Sequence, residues 1–215
     1  MIGFALCHGW SFDAHAMTRL QDALKQRLPQ ACFSVFDLGF SGAAQLPALS
    51  SSADWIAVGH SYGFAYLMNP QFSWKAAVSL SGFTRFCRQP GRSTGTPARI
   101  VDAMLKRLKE TPEETVADFR RRCGDRSAVH GRLDRDKLIE HLVLLRDLDI
   151  PLPPCPTLAL AGTDDAIVPI ELARACFAPE HCALYETAGD HMSMLTAPEE
   201  YAGLIADFIE SRVNE

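Results

Sequence analysis

The run Trp55-Ile56-Ala57-Val58 leads directly into Gly59-His60-Ser61-Tyr62-Gly63, and Phe64–Met68 follows with helical character. An apolar strand, a serine flanked by glycines and a helix start form a sharp turn that exposes the serine oxygen at the end of a sheet. Glycines at 59 and 63 let strand and helix approach closely, and the serine between them is expected to carry backbone strain. Such a serine attacks acyl carbons. A serine hydroxyl is a weak nucleophile at its free pKa, so Ser61 requires a base.

His191, in Gly189-Asp190-His191-Met192, lies after the last expected strand and before the last helix, where a loop can aim its ring at Ser61. His181 precedes a strand and is expected at the surface. The acid that orients the base should follow the strand at 157–161. Two carboxylates stand there, Asp164 and Asp165, and neighbours in a loop cannot both face one ring. The stretch 162–169 fits G-x-x-D-x-x-V-P with Asp165 in the acid position, so Asp165 is preferred. Asp164 would then cap the turn or meet solvent. Cys7-His8-Gly9-Trp10 follows the first strand, where the backbone N–H of Trp10 can join that of Tyr62 as an oxyanion hole. His8 is expected to brace that loop.

These residues need a scaffold. Apolar runs predict strands at 2–7, 32–38, 55–58, 76–80, 157–161 and 182–186, and helical periodicity predicts helices at 14–28, 170–177 and 198–213. Ala43–Ser52 reads as a small-residue loop. Alternating strands and helices imply a mostly parallel sheet with helices on both faces. The alternation breaks between 83 and 150. A Gly-, Pro- and Arg-rich loop is followed there by helices expected at 98–109, 113–123 and 134–147. This block is expected to be an inserted helical cap over a core made of 1–82 and 151–215. Thr111-Pro112-Glu113-Glu114 predicts a capped helix start.

Composition narrows the function classes. The 215 residues suit one domain, and 47% hydrophobic with 22% charged residues is an ordinary globular balance. A net charge of −5 argues against nucleic-acid binding. No apolar run approaches membrane-spanning length, and Met1–Leu6 reads as a strand, not a signal peptide. Seven cysteines without metal or redox spacing suggest small buried hydrophobes in a reducing, cytoplasmic setting. There is no clustered metal-ligand set and no phosphate-binding glycine loop, so no cofactor is expected. Charge is uneven. Residues 83–150 hold 15 Lys and Arg against 11 Asp and Glu, and the remainder holds 6 against 15. A basic face suits either solvent or an acidic partner.

With these residues placed, the chain resembles the pimeloyl-acyl-carrier-protein methyl ester esterases of biotin synthesis, in the α/β-hydrolase superfamily. The resemblance covers most of the chain. It is carried by His8-Gly9-Trp10, by Asp37-Leu38-Gly39-Phe40-Ser41-Gly42 as a D-x-x-G-F-G-like stretch, and by the turn at Ser61. Thr115-Val116 with Phe119, and a stretch from Leu138 that closes on L-x-x-L-R-x-L-D-I, resemble the cap. Asp165 and His191 fall at the family's acid and base.

The chain departs from the family in several places. His60 stands where tryptophan is frequent. The leading hairpin is absent, and 41–54 is too short for the usual helix. Glu114 and Asp118 stand where basic residues are expected. The resemblance implies hydrolysis of a methyl ester through an acyl-enzyme, with an acidic acyl-carrier protein as partner and the protein itself a monomer. Arg120, Arg121, Arg122 and Arg126, with Arg85, Arg88, Arg92, Arg99 and Arg132, would supply the docking field. Phe83, Phe86, Met104, Phe119 and Leu142 would wall the acyl channel. A general short-chain esterase or thioesterase uses the same residues.

Overall fold

The computed structural model describes residues 1–127, 129, 131–178 and 181–212. Six strands form one sheet in which every pairing is parallel: β1 (Ile2–Cys7), β2 (Cys32–Phe36), β3 (Asp54–His60), β4 (Ala76–Leu80), β5 (Thr157–Gly162) and β6 (Cys182–Thr187). Their order across the sheet is β2-β1-β3-β4-β5-β6. The central strands are apolar on both faces because helices cover both; Phe4, Leu6, Ile56, Val58, Val78 and Leu158 are wholly buried. After β1 the chain moves first to one side and then to the other. The topological switch therefore falls between β1 and β3, and ligands of open α/β sheets bind outside the carboxyl ends of strands at such a point. His8-Gly9-Trp10 and Ser61 both lie there.

The helix expected at 14–28 is divided. Asp13 accepts the His15 N–H and starts a 3-10 turn, Ala14–Met17, before α1 (Thr18–Arg27). α2 (Tyr62–Leu67) follows the serine. Between β4 and β5 come α3 (Ala98–Glu110), α4 (Pro112–Cys123) and α5 (Arg135–Asp147), close to the expected bounds. α6 (Ile170–Cys176), a short α7 (Ser193–Thr196) and α8 (Pro198–Arg212) complete the order, and α7 lies outside the expected helices. α1 packs beside α8 and α7, with Arg27 donating to the Glu199 carbonyl of α8 and Arg19 to the Leu195 carbonyl of α7.

Helix ends in the α3–α5 block obey local rules, with one correction. Pro112 opens α4 and Glu113 and Glu114 sit in its first turn, as expected. Thr111 occupies the cap position, but its hydroxyl caps nothing ahead; it points back to the Arg107 carbonyl at 3.4 Å, because α3 ends there with carbonyls to satisfy. α4 ends at left-handed Gly124, where the Gly124 and Asp125 N–H groups close onto the Arg121 and Arg120 carbonyls. Asp134 caps α5 through the Lys137 N–H at 3.0 Å.

Val101, Leu108, Val116, Leu138 and Leu142, from the three inserted helices, join the same buried cluster as the sheet. The insertion is thus a further layer on one core. No helix among the described residues is long and apolar enough to cross a membrane. All seven cysteines are free thiols.

Candidate active site

Ser61 has φ 54° and ψ −123°, a conformation that a residue with a Cβ adopts at a cost of roughly 1–3 kcal/mol. Its N–H donates to the Leu80 carbonyl at 2.9 Å, and its carbonyl accepts the Phe64 N–H at 3.1 Å. Side chains at the flanking glycines would destroy the turn: a Cβ on Gly59 would strike the Phe64 backbone, and one on Gly63 the carbonyls of Cys7 and His8.

The loops after β5 and β6 meet beside this turn. His191 Nδ1 lies 2.7 Å from Asp165 Oδ2, with both side chains almost wholly buried. Asp165 Oδ1 accepts the N–H groups of Ile167 and Val168, each at 2.8 Å. Burial opposes ionisation of Asp165, but the hydrogen bond and charge of His191 and the two N–H donors outweigh it, leaving its pKa below the ordinary carboxylate value. An ionised Asp165 requires the proton on His191 Nδ1. In the neutral imidazole that leaves Nε2 as the acceptor, and Nε2 is buried without a partner among the described residues. Asp164 is exposed, and its N–H bonds to the Gly189 carbonyl at 3.0 Å, which ties the acid loop to the base loop. His181 is exposed, bonded to the Pro153 carbonyl.

His60 has a role that sequence did not disclose. Its Nε2 donates to the His191 carbonyl at 3.0 Å, and the two rings are 4.8 Å apart. Burial, with the charge of His191 next in size, lowers its pKa from 6.5 to about 3, so it stays neutral.

The turn after β1 presses on the nucleophile: a Cβ on Gly9 would stand 3.1 Å from Ser61 Cβ. The Trp10 N–H is free of any described backbone bond. The Tyr62 N–H begins a helix and has no carbonyl four residues back within it. Neither N–H has a partner among the described bonds; Tyr62 follows Ser61 in the chain, and Trp10 lines the same cavity as Ser61. The side chains of the same two residues reach α5, Trp10 Nε1 donating to the Leu138 carbonyl at 3.0 Å and the Tyr62 hydroxyl meeting His141 Nδ1 at 3.0 Å. Burial raises the Tyr62 pKa and lowers that of His141, so both groups meet in their neutral forms. His8 braces this region, with Nδ1 on the Gly9 carbonyl at 2.8 Å and the Leu38 N–H on Nε2 at 3.0 Å.

A cavity of 40 Å³ opens onto Ser61, and Phe83, Phe86, Met104, Phe119 and Leu142 all line it with Trp10 and Arg122. A groove of 510 Å³ lies outside it between α3 and α4; Ile100, Met104, Phe119 and Arg122 line both.

The expected docking arginines divide. Arg120 is not on the surface; its guanidinium is buried and donates to the Ser11 carbonyl. Arg85 is likewise buried, held by Thr94 and the Cys87 carbonyl, because the loop 83–97 wraps around it. Arg121 is exposed but shares Asp118 with Arg107. Arg92 pairs with Asp149 at 2.9 Å, and Arg88 donates to the Gly95 carbonyl. Arg99, Arg122, Arg126 and Arg132 are exposed without a described ion pair.

No family model matches the chain, and no curated protein sequence matches it. Solved structures do. An esterase from Exiguobacterium antarcticum superposes with a TM-score of 0.80 at 16% identity, over 98% of this chain and 92% of that one. A bromoperoxidase from Bacillus anthracis gives 0.80 at 15%, over 97% and 91%. BioG from Haemophilus influenzae gives 0.62 at 22%, over 89% of each. With its parallel sheet, its strand–serine–helix turn and this likeness, the chain has the α/β-hydrolase fold.

Proposed function

We propose that this chain is a carboxylic ester hydrolase with Ser61 as nucleophile, His191 as base and Asp165 as the acid that orients it. The observation that carries the reading is the buried 2.7 Å Asp165–His191 pair beside a left-handed Ser61 at the switch point of the sheet. Ser61 Oγ adds to the ester carbonyl and its proton passes to His191 Nε2. The carbonyl oxygen becomes an oxyanion that the Trp10 and Tyr62 N–H groups receive. The tetrahedral centre collapses, His191 protonates the departing alkoxide, and the alcohol leaves. Water, deprotonated by His191, then frees the acyl group from Ser61. The esterase among the structural neighbours is consistent with this chemistry. A fluorophosphonate probe should label the wild type and not Ser61→Ala; an unlabelled wild type would refute the assignment.

The finer reading is the methyl ester of pimeloyl carried on acyl-carrier protein. Support comes from the basic balance of 83–150, from a groove that shares Ile100, Met104 and Phe119 with the Ser61 cavity, and from exposed Arg122, which lines both. Phe83, Phe119 and Leu142 would contact the acyl chain. Arg121, Arg122 and Arg126 would face the acidic carrier, and Arg120, being buried, is no longer among them. A specific observation favours a second reading, a short-chain esterase: the cavity at Ser61 is only 40 Å³, close to the size of one water's share of space. Hydrolysis of free short esters with an untouched carrier-bound methyl ester would select it.

A further inference from the structure

Trp10 and Ser11 are the central residues of a turn closed by the Phe12 N–H on the Gly9 carbonyl at 3.2 Å. Ser11 has φ 68°. The third position of such a turn ordinarily belongs to glycine, since positive φ crowds a Cβ. Here it carries a serine whose hydroxyl is buried without a hydrogen-bond partner among the described residues. The turn is therefore unfavourable by itself, and something must hold it.

Arg120 is placed to do so. It projects from α4, and both Nε, at 3.1 Å, and Nη2 donate to the Ser11 carbonyl. Its guanidinium lies 4.8 Å over the Phe12 ring, and Asp125 Oδ2 stands 4.0 Å from Nη1. A buried cation persists only where hydrogen bonds and countercharge replace water; among the described residues the hydrogen bonds of Arg120 go to this turn, and Asp125 and Asp13 supply the countercharge. Phe12 in turn packs edge-on against His60 at 5.8 Å, next to Ser61.

The geometry points to Arg120 as a positioning residue of the oxyanion hole: seated on the turn, it holds Ser11 left-handed and so aims the Trp10 N–H at the reacting carbonyl. This inference rests on the reading of Ser61 as nucleophile and Trp10 as donor. α5 acts in the same sense, for the Leu138 carbonyl and His141 hold the side chains of Trp10 and Tyr62 from adjacent turns. The inserted helices, not the sheet alone, set both donors.

Arg120→Met keeps much of the stem and removes the donors. On p-nitrophenyl acetate, a small neutral ester, its kcat should fall about 10- to 100-fold, the range a small misplacement of catalytic groups produces. KM should barely change, because the lost interaction belongs to the transition state. Affinity for an aryl boronic acid, which forms a tetrahedral adduct on Ser61, should fall in parallel. The decisive measurement is rescue. Glycine takes positive φ without help, so Ser11→Gly added to Arg120→Met should restore most of the lost kcat. A purely structural arginine would not be repaired that way. A folded Arg120→Met with unchanged kcat overturns the inference, as does a loss that Ser11→Gly does not relieve. If Arg120→Met does not fold, Arg120→Lys with and without Ser11→Gly is judged by the same criteria. Fluorophosphonate labelling of the wild type runs alongside. Its absence would remove the nucleophile reading itself, whereas normal labelling with an unaffected Arg120 variant removes this inference alone.

Discussion

Asp164 and Asp165 are adjacent in the chain, yet only one turns inward. The buried carboxylate holds His191 and two backbone amides, while its neighbour meets solvent. Asp165→Asn should therefore lower kcat by roughly 10³- to 10⁴-fold through loss of the correct imidazole tautomer. Asp164→Asn should leave kcat nearly unchanged, and equal losses in the two variants would refute the assignment. His60 makes a separate prediction about stability. Its pKa is about 3 in the fold against about 6.5 when unfolded, so between those values the unfolded chain binds the extra proton. Stability from a neutral His60 is complete above pH 6.5 and is lost as pH falls, by about 1.4 kcal/mol per pH unit. His60→Phe should flatten that slope in urea unfolding between pH 4.5 and 6.5. Asp165 acts in the same direction but at lower pH: its lowered pKa gives stability that is present above its unfolded value and lost as pH falls below about 4.

Elements were legible where a rule is local. The strand, serine and helix at 55–68 are contiguous, and glycines at 59 and 63 have a steric reason visible in the sequence alone. The proposed acid and base were legible because each follows a strand, β5 wholly buried and β6 a partly exposed edge. What stayed hidden depends on partners far along the chain. Arg120 looks like its neighbours Arg121 and Arg122, and only the carbonyl of Ser11, 109 positions earlier, takes it inside. Trp10 and Leu138 are 128 positions apart, a distance over which no periodicity speaks. Thr111 shows the opposite error, a local rule overridden: the residue stands at the cap position, but the end of α3 claims its hydroxyl. Thr111→Ala should accordingly cost less than the ~1 kcal/mol typical of a working cap, as read from the urea midpoint. Gly124→Ala should cost more than about 1 kcal/mol, since φ is 96° and the new Cβ would strike the Asp190 carboxylate.

At the scale of the whole molecule, the basic segment carries less free charge than its composition suggests. Arg85 and Arg120 are interior, and Arg92, Arg107, Arg121 and Arg146 have carboxylate partners. What remains exposed without a described ion pair is a smaller set that includes Arg122 and Arg126. If these receive an acidic carrier, kcat/KM on the carrier-bound ester should drop as salt rises, because exposed charges are screened beyond about 8–10 Å at moderate ionic strength. The value for a small neutral ester should stay constant over the same range. Parallel curves would count against docking.

The insertion between β4 and β5 also sets when the proposed triad can assemble during synthesis. Ser61 and the strands β2-β1-β3-β4 leave the ribosome first and can pair with one another. The acid and base arrive more than a hundred residues after the serine, on strands that must add to the far edge of that sheet. If Ser61, His191 and Asp165 act as proposed, a nascent chain carries the serine turn before its base, and the triad is complete only once β5 and β6 have docked.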